Sequence, residues 1–198
     1  MHNPAGVVYG RLPGFRLSDR GQAMAAMTAE GLAELPVTRL IASPLLRTQQ
    51  SAQPVADRFG LTIETDDRVV EAWNRFEGRS MARRALLARP QDWHLFRNPT
   101  RPSWGEPFVD VIARMRPAVL EAIRSTDHGD VVIVSHQLPI WAVHRSVVGK
   151  SLAHDPRRRR CALSSVTSFA FEGGRLVETG YRDPAASLLA DAVDRGAT

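Results

Sequence analysis

The sequence predicts one α/β domain of three layers, with helices on both faces of a mostly parallel central sheet. Three observations lead to this prediction: helix-like and strand-like segments alternate along the chain, one strand-like run is apolar throughout, and no repeat or linker divides the 198 residues. Strands of a parallel sheet are covered by helices on both faces, so their residues are apolar without alternation. A chain of this length can also bury a sizeable core.

The first helix and the first strand are bounded by capping and helix-breaking residues. Ser18 predicts the start of a helix whose apolar positions continue to Leu35. Pro36 ends this helix because proline cannot continue it. The apolar run from Thr38 to Ala42 then predicts a short buried strand.

A second helix and a second strand follow. Leu45 to Phe59 has helical character and ends at Gly60, a residue type that is common just after helices. Pro54 predicts a kink or a boundary inside this helix, because proline removes a backbone hydrogen bond. Leu61 to Val70 predicts a strand and then a turn.

The middle of the chain is the hardest part to interpret. Arg79 to Leu87 has a helical pattern, but the prolines and glycine that follow predict an irregular segment. We therefore expect a single domain over residues 1–198 with a cap-like insertion at about residues 79–106. Helical spacing returns from Pro107 to Ser125.

The last third of the chain contains the clearest strand. Asp130 to Ser135 includes four consecutive β-branched apolar residues, which predicts a central parallel strand covered on both faces. Leu138 to Val148 predicts the helix after it. Val166 to Phe171 and Arg175 to Tyr181 predict a hairpin that turns at a pair of glycines.

Composition narrows the class of protein. Hydrophobic residues make up 43% of the chain and charged residues 24%, as in ordinary soluble domains. No apolar run approaches the roughly 18 residues that cross a membrane. The N-terminus has no signal-like pattern either, so we expect a cytoplasmic protein that binds no membrane. The single cysteine, Cys161, excludes an internal disulfide.

The net charge of +5 comes from basic residues that are almost all arginine. The run from Arg157 to Arg160 has two interpretations. It could contact the phosphates of a nucleic acid, or it could be a solvated connecting loop. We favour the loop, because a turn-like stretch precedes the run and no aromatic residues are interleaved with it. We therefore expect no nucleic-acid partner.

Three segments place polar residues where chemistry can occur. Ser135 and His136 follow the clearest strand, where open α/β folds form their ligand crevice. Arg47 opens the helix after another strand, a position that is explained if the arginine and the helix N-terminus face an anion. Glu71 and Glu77 lie in a loop with aromatic residues. Burial of either acid there would raise its pKa and allow it to donate a proton at neutral pH.

Each segment taken alone also has an ordinary structural interpretation. His136 could cap its strand or bond within a turn, and Arg47 could be a surface arginine. The acids could lie in a solvated loop. For Arg47 and the acids, the structural interpretation is at least as good as the functional one. Only the three segments in this order favour a functional site.

Together, the segments resemble the histidine phosphatase superfamily, which is phosphoglycerate-mutase-like. Six stretches follow the order of that family's motifs over about residues 2–145. They are Asn3, Leu17 to Gly21, Ser43 to Ala52, Glu71 with Glu77-Gly78, Gly105-Glu106-Pro107 with Arg114, and Val134-Ser135-His136. The mild departures from the family pattern are Thr48, Ser51, Pro107 and Gln137.

One departure from the family pattern is larger. The family has an Arg-His-Gly at the end of its first and central strand, and this histidine is the nucleophile. No Arg-His-Gly occurs in the 198 residues, and His2 lies in the wrong place in the pattern to replace it. We therefore expect a truncation at the N-terminus, caused by a misassigned start, with the first strand missing. A non-catalytic relative is the alternative.

The resemblance implies a role for each matching residue. In the family, a neutral histidine attacks the phosphorus of a monoester and forms a phosphohistidine. Arg47 and His136 would hold the phosphoryl oxygens, and Asn3 would help to orient the phosphate. Glu71 would protonate the leaving alcohol and then activate water. Neither a cofactor nor a metal is implied, because the cationic side chains replace the metal.

The resemblance therefore implies a phosphomonoesterase that is inactive in the 198 residues as numbered and that binds a small phosphorylated substrate or inorganic phosphate. The segment between Glu71 and Gly105 is shorter than the insertion of the family's phosphoglycerate mutases, which favours a phosphatase. A mutase and a non-catalytic phosphate-binding or interaction module are the alternatives. The substrate stays open, as does the oligomeric state, with a homodimer among the options.

Overall fold

A computed structural model describes residue 3 and residues 6–80, 104–155 and 158–189. The helices and strands of this part alternate as the sequence predicts. In chain order they are α1 (Asp19–Gly31), β1 (Val37–Ala42), α2 (Leu46–Phe59), β2 (Ile63–Thr65), a 3-10 turn (Asp67–Val69), α3 (Phe108–Arg124), β3 (Asp130–Val134), α4 (Gln137–Val147), β4 (Val166–Glu172), β5 (Arg175–Arg182) and α5 (Ala186–Leu189).

The main sheet is parallel and has the strand order β2–β1–β3 in the described part of the chain. Ala42 at the end of β1 pairs with Thr65 of β2 on one side and with Val134 of β3 on the other. The carboxyl ends of the three strands therefore lie side by side. Since Ser43 follows β1 and His136 follows β3 by two residues, this arrangement brings their side chains within reach of each other.

Helices cover both faces of the main sheet. On one face, Val132 and Val134 of β3 pack against the core that includes Val55 of α2. On the other face, Ile133 packs against the core that includes Met115 of α3. Successive side chains of a strand point to opposite faces, so β3 contributes to two separate cores. The three-layer α/β fold predicted from the sequence is confirmed.

The position of β3 within the sheet differs from the prediction. Its two faces are covered, as its apolar run indicates, but β1 is the central strand and β3 lies at one edge of the described sheet. An unbroken apolar run reports cover by helices on both faces of a strand. Helices also pack on both faces of an edge strand in a three-layer fold. The apolar run therefore does not predict how many strands pair with this one.

The predicted start of α1 is correct, and its end is earlier than predicted. The Ser18 hydroxyl accepts a hydrogen bond from the N–H of Gly21 at 3.2 Å and caps the helix. The helix ends at Gly31, and the four residues before Pro36 form turns rather than helix. Leu32 and Leu35 still pack against the core beside α2, which explains why their spacing has the appearance of a helix.

No boundary lies at Pro54, and α2 runs through it to Phe59. Ala52, Val55 and Ala56 are buried on the inner face of the helix around the proline. Their packing offsets the backbone hydrogen bond that proline removes. Gly60 ends the helix in the left-handed region, with φ of 66°.

The C-terminal hairpin is confirmed, with β4 and β5 paired antiparallel. Gly173 and Gly174 form its turn with φ of 55° and 81°, which glycine adopts without steric cost. The strand and turn predicted from Leu61 to Val70 are present, and the turn begins where Asp66 accepts a hydrogen bond from the N–H of Arg68 at 2.8 Å.

Most of the predicted cap lies outside the described residues, and so does most of the predicted helix from Arg79 to Leu87. A single domain with a cap-like insertion at about residues 79–106 therefore stays a prediction. None of the described helices has the length and apolar character needed to cross a membrane.

Candidate active site

The carboxyl ends of β1 and β3 bring together residues from three distant parts of the sequence. His136 directly precedes α4, and its Nε2 lies 2.8 Å from Oγ of Ser43. Arg47, in the first turn of α2, places Nη2 at 3.3 Å from Nδ1 of the same imidazole. The backbone supports this arrangement, because the N–H of Ser43 donates to the carbonyl of Val134 at 3.0 Å.

The partners of His136 define its tautomer. A guanidinium only donates, so Nδ1 of His136 accepts from Arg47, and Nε2 carries the proton that it donates to Ser43. Burial lowers the pKa of His136 well below its ordinary value, and the charges of Arg47, Arg114 and Arg11 lower the pKa further. The imidazole, which is 7% exposed, is therefore neutral at pH 7.

Arg47 is a buried cation whose partners are uncharged. Its Nη2 donates to the carbonyl of Gly10 at 2.7 Å, and its guanidinium lies 5.0 Å from the centre of the Tyr9 ring. Burial lowers the pKa of Arg47, and the nearby Glu71 raises it. Arginine keeps its charge at neutral pH, and among the described residues no salt bridge joins this one to a carboxylate. Such a group is suited to binding an anion.

Glu71 is only 1% exposed and lies beside the imidazole. Its Oε1 accepts from the N–H of Ala72 at 2.9 Å, and its Oε2 lies 3.9 Å from Nδ1 of His136. Burial raises the pKa of Glu71, although the Ala72 N–H and the charge of Arg47 oppose the rise. With a neutral imidazole the approach is not an ion pair, and 3.9 Å is too long for a hydrogen bond. The raised pKa is what a general acid needs.

Asn3 lies apart from these contacts. Its Nδ2 donates to the carbonyl of Val7 at 2.8 Å, and its Oδ1 accepts from the N–H of Val7 at 3.2 Å. Both side-chain atoms therefore close a local turn, and neither bond reaches the other three predicted site residues. Its role in orienting phosphate stays a prediction.

Gly10 is a site residue that the sequence analysis does not identify. Its carbonyl accepts from Arg47, and its φ of 37° lies in the left-handed region. A side chain on Gly10 would collide with the carboxylate of Glu77, which accepts from the N–H groups of Arg11 and Asn74, each at 3.0 Å. The contact that Gly10 makes with Arg47 uses the backbone, so the residue type carries no signal of it.

Glu106 stabilises the loop that carries Glu71. Arg114 donates to both oxygens of Glu106 at 2.8 and 3.0 Å, and Arg11 donates to one of them at 2.8 Å. Arg11 also donates to the carbonyl of Glu71 at 2.6 Å, and Arg114 donates to the carbonyl of Val70 at 2.7 Å. In the sequence, Glu106 and Arg114 are matches to a family motif without an assigned role. The structure shows that they position the acid.

The described part of the basic run makes contacts within the chain. Arg160 contacts Glu178, and Nε of Arg159 donates to Nε2 of His154 at 3.0 Å. Arg158 is exposed. These contacts agree with a connecting loop, and the absence of a nucleic-acid partner stays a prediction.

The arrangement can bind an anion and can move a proton. Arg47 supplies the positive charge, His136 supplies a neutral imidazole, and Glu71 supplies a carboxyl group whose burial favours the protonated form. Within the described residues, no three His, Cys, Asp or Glu side chains converge as metal ligands.

Known proteins are similar to this chain in sequence and in fold. The family described as the histidine phosphatase superfamily (branch 1) matches residues 1–184. The "Uncharacterized protein Rv0525" of Mycobacterium tuberculosis (strain ATCC 25618 / H37Rv) is 51% identical over 188 residues, which cover 94% of this chain and 93% of that protein. The "Probable phosphoglycerate mutase GpmB" of Yersinia pestis (strain Pestoides F) is 30% identical over 158 residues, or 76% and 72% of the two chains. The solved complex of mycobacterial glucosyl-3-phosphoglycerate phosphatase Rv2419c with inorganic phosphate has a TM-score of 0.72 and 25% identity, and the match covers 89% and 92% of the two chains.

Proposed function

The chain belongs to the histidine phosphatase superfamily, and from this premise we propose that it is a phosphomonoesterase that acts through a phosphohistidine intermediate. The observation that carries the proposal is the buried convergence of Arg47, His136 and Glu71. The family's nucleophile belongs to an Arg-His-Gly that the 198 residues do not contain. We therefore propose that these residues are inactive by themselves and hold the remaining part of the site.

Arg47 and His136 form the anion-binding side of the proposed site. A phosphoryl group beside them accepts hydrogen bonds from the guanidinium and from the imidazole. The negative charge of the phosphate raises the pKa of His136, so the imidazole takes up a proton when phosphate binds. Two cations then face the phosphoryl oxygens and offset the charge that develops in the transition state.

Glu71 is the acid in the first step and the base in the second. As the nucleophilic histidine forms its bond to phosphorus, the bond to the leaving alcohol breaks, and Glu71 gives its proton to the alcohol oxygen. In the second step the Glu71 carboxylate takes a proton from water, and the water oxygen attacks phosphorus while the phosphorus–nitrogen bond breaks. The products are phosphate and the alcohol, and Glu71 is protonated again.

A phosphoglycerate-type mutase is the second candidate, and the 30% identity to the Yersinia protein is the observation that favours it. Mutase and phosphatase share the phosphohistidine and differ in whether the phosphoryl group passes to water or back to the bound alcohol. We favour the phosphatase because the chain between Glu71 and Gly105 is short for an insertion that would enclose the bound alcohol. A phosphate-binding module without catalysis is the third candidate.

Native protein purified from its source organism tests the proposal. Its N-terminal sequence and intact mass show whether an Arg-His-Gly precedes Asn3. Phosphate release and isomer formation are then measured with 3-phosphoglycerate, and p-nitrophenyl phosphate serves as a general substrate. We expect phosphate release without isomer formation. Isomer formation would identify a mutase, and phosphate binding without turnover would identify a binding module.

The anion site can be tested in the 198-residue chain by calorimetric titration with inorganic phosphate. Arg47→Ala should weaken phosphate binding at least about tenfold, because a hydrogen bond to a charged group contributes roughly 1.5–3 kcal/mol. Arg58→Ala is the matched control, since Arg58 lies on the same helix and pairs with Glu30. Equal phosphate affinity in the parent and in Arg47→Ala would remove Arg47 from the anion site.

A further inference from the structure

Glu77 is the second acid of the loop that carries Glu71, and the proposed reaction leaves it without a role. The side chain is partly buried, and its Oε1 accepts from the N–H groups of Arg11 and Asn74, each at 3.0 Å. Both hydrogen bonds are with the backbone, so this carboxylate orients the chain itself. It connects its own loop to a segment that lies 66 residues away in the sequence.

The peptide group between Gly10 and Arg11 contacts Glu77 on one side and Arg47 on the other. Its N–H belongs to Arg11 and donates to Glu77. Its carbonyl belongs to Gly10 and accepts from Nη2 of Arg47 at 2.7 Å. The N–H and the carbonyl of a trans peptide group point in opposite directions, and this peptide group is trans. A hydrogen bond at one end of the group therefore fixes the direction of the other end.

Gly10 makes this hydrogen bond to Glu77 necessary. Glycine has no Cβ to restrict the backbone, so a peptide group that follows it can rotate at low cost. Rotation of the plane would withdraw the Gly10 carbonyl from Arg47. The carboxylate of Glu77 also occupies the space that a Cβ on Gly10 would need. Glu77 therefore requires glycine at position 10 and opposes the rotation that glycine permits.

The backbone around Glu77 is bound to the same N-terminal segment. The N–H of Val8 donates to the carbonyl of Arg79 at 2.9 Å, and the N–H of Gly78 donates to the carbonyl of Val8 at 2.8 Å. These two bonds lie directly beside Glu77 in one segment and close to Gly10 in the other. They hold the two segments together, so that the carboxylate meets the peptide group at a fixed place.

We propose that Glu77 is a positioning residue of the anion site, which orients the guanidinium of Arg47 through the peptide group between Gly10 and Arg11. The inference rests on the proposed function, because Arg47 is the anion-binding group of that function. Nη2 of Arg47 is held by the Gly10 carbonyl, so in the described part of the chain Nε and Nη1 are the donors left for phosphoryl oxygens. The bond to the carboxylate also polarises the peptide group and strengthens its contact with the guanidinium.

Two variants of similar length isolate the hydrogen-bond acceptor in a calorimetric titration of the full chain with inorganic phosphate. Glu77→Gln and Glu77→Met both remove the negative charge, but only glutamine keeps an oxygen for the two N–H groups. We expect the Kd of Glu77→Met to be about fivefold above that of Glu77→Gln, which corresponds to about 1 kcal/mol of coupling within one hydrogen-bond network. Glu34→Gln and Glu34→Met, at an exposed glutamate, are the matched controls and should have equal Kd values.

The same two variants in an Arg47→Ala background separate positioning from a general structural role. If Glu77 acts through Arg47, the ratio of the two Kd values should fall below about twofold once the guanidinium is absent. A ratio that stays about fivefold without Arg47 would show that Glu77 affects phosphate binding by another route. Circular dichroism checks that every variant is folded, and Glu77→Ala replaces Glu77→Met if the methionine variant does not fold.

The outcomes distinguish this inference from the proposed function. If phosphate binds to the parent and depends on Arg47, but Glu77→Gln and Glu77→Met have equal Kd values, the role of Glu77 is wrong and the anion site stands. If inorganic phosphate does not bind to the parent, the anion site is wrong and the inference falls with it.

Discussion

Glu71 and His136 show how burial can prepare two neighbouring groups for opposite tasks. In water, a carboxylate and an imidazolium at this distance would attract each other. In the site, burial raises the pKa of the carboxyl group and lowers that of the imidazole, so desolvation favours the neutral form of both. Burial therefore favours a proton on Glu71, from which it can be donated, and leaves the imidazole able to accept one when an anion binds.

Glu71→Gln tests the raised pKa through the pH dependence of stability. Because the folded-state pKa lies above the unfolded value of about 4.3, the stability that the protonated carboxyl contributes is fully present below that value. This stability is lost as pH rises through the folded-state pKa. Glutamine does not ionise, so the free energy of unfolding of the variant should rise relative to the parent over this window, by about 1.4 kcal/mol for each unit of the shift.

Urea unfolding of parent and variant at a series of pH values from about 4 to 8 gives this difference. A difference that does not change with pH would show that the pKa of Glu71 is not raised. In native protein that contains the nucleophile, the same variant should lose about 10²- to 10⁴-fold in turnover and keep its phosphate affinity. Unchanged turnover would remove Glu71 from the acid role.

At the scale of the helices and strands, the sequence predicts which elements exist better than it predicts where they end or which strands pair with each other. The start of α1 is predictable because the Ser18 cap is local, and the hairpin is predictable because its turn needs two glycines. The end of α1 and the continuity of α2 through Pro54 depend instead on tertiary packing against the sheet. The position of β3 at the edge of the described sheet depends on which strands pair with each other, and hydropathy does not predict strand pairing.

Two glycines in the left-handed region should differ in their tolerance of alanine. Gly129 has φ of 75° in the turn before β3, and a Cβ there would collide with the carbonyl of Pro36 and the side chain of Thr38. Gly60 has φ of 66°, and no atom lies within 4 Å of a Cβ built on it. Gly60→Ala should therefore cost only the backbone strain, about 1–2 kcal/mol, whereas Gly129→Ala should cost roughly 2–5 kcal/mol.

Urea unfolding measures both losses, and Gly180→Ala in β5 is the control. A Cβ at Gly180 also meets no atom within 4 Å, and the φ of Gly180 is not in the left-handed region. The free energy of unfolding of Gly180→Ala should therefore differ from that of the parent by less than about 1 kcal/mol. Equal losses at Gly60 and Gly129 would show that the turn before β3 can move away from the new side chain.

At the scale of the whole molecule, Glu106 connects the N-terminal segment, the loop that carries Glu71, and α3. Among the described residues, Arg114→Leu leaves the Glu106 carboxylate, whose side chain is 8% exposed, with Arg11 as its remaining salt-bridge partner. It also removes the donor for the carbonyls of Arg68 and Val70. We expect a loss of about 3 kcal/mol in the free energy of unfolding, because breaking a buried ion pair leaves the Glu106 charge only partly compensated and two carbonyls lose their donor.

Arg116→Leu is the matched control, since Arg116 lies on the exposed face of the same helix. Its effect on the unfolding midpoint in urea should be small, as for most surface substitutions. If both substitutions had the same effect, the network around Glu106 would contribute no more than a surface charge.

Whole-molecule topology also explains which site residues the sequence could predict. Arg47 and His136 follow strands whose carboxyl ends meet, so a parallel sheet is sufficient to bring them together. The contact of Arg47 with Gly10 uses a backbone carbonyl, which every residue type has. It can therefore be identified only in the folded chain. The local turn of Asn3 is equally hard to predict, because its two side-chain bonds to Val7 require a backbone path that the sequence does not specify.

The uncharged surroundings of Arg47 affect how strongly phosphate inhibits the proposed reaction. A carbonyl, an aromatic ring and a neutral imidazole leave its positive charge without a carboxylate partner in the described part of the chain. Orthophosphate released by a phosphatase presents the same oxygens to this pocket as the substrate does. Product and substrate of the proposed reaction therefore compete, and hydrolysis slows as orthophosphate accumulates. Such an enzyme works fastest at low phosphate concentration, and its activity is limited by product inhibition.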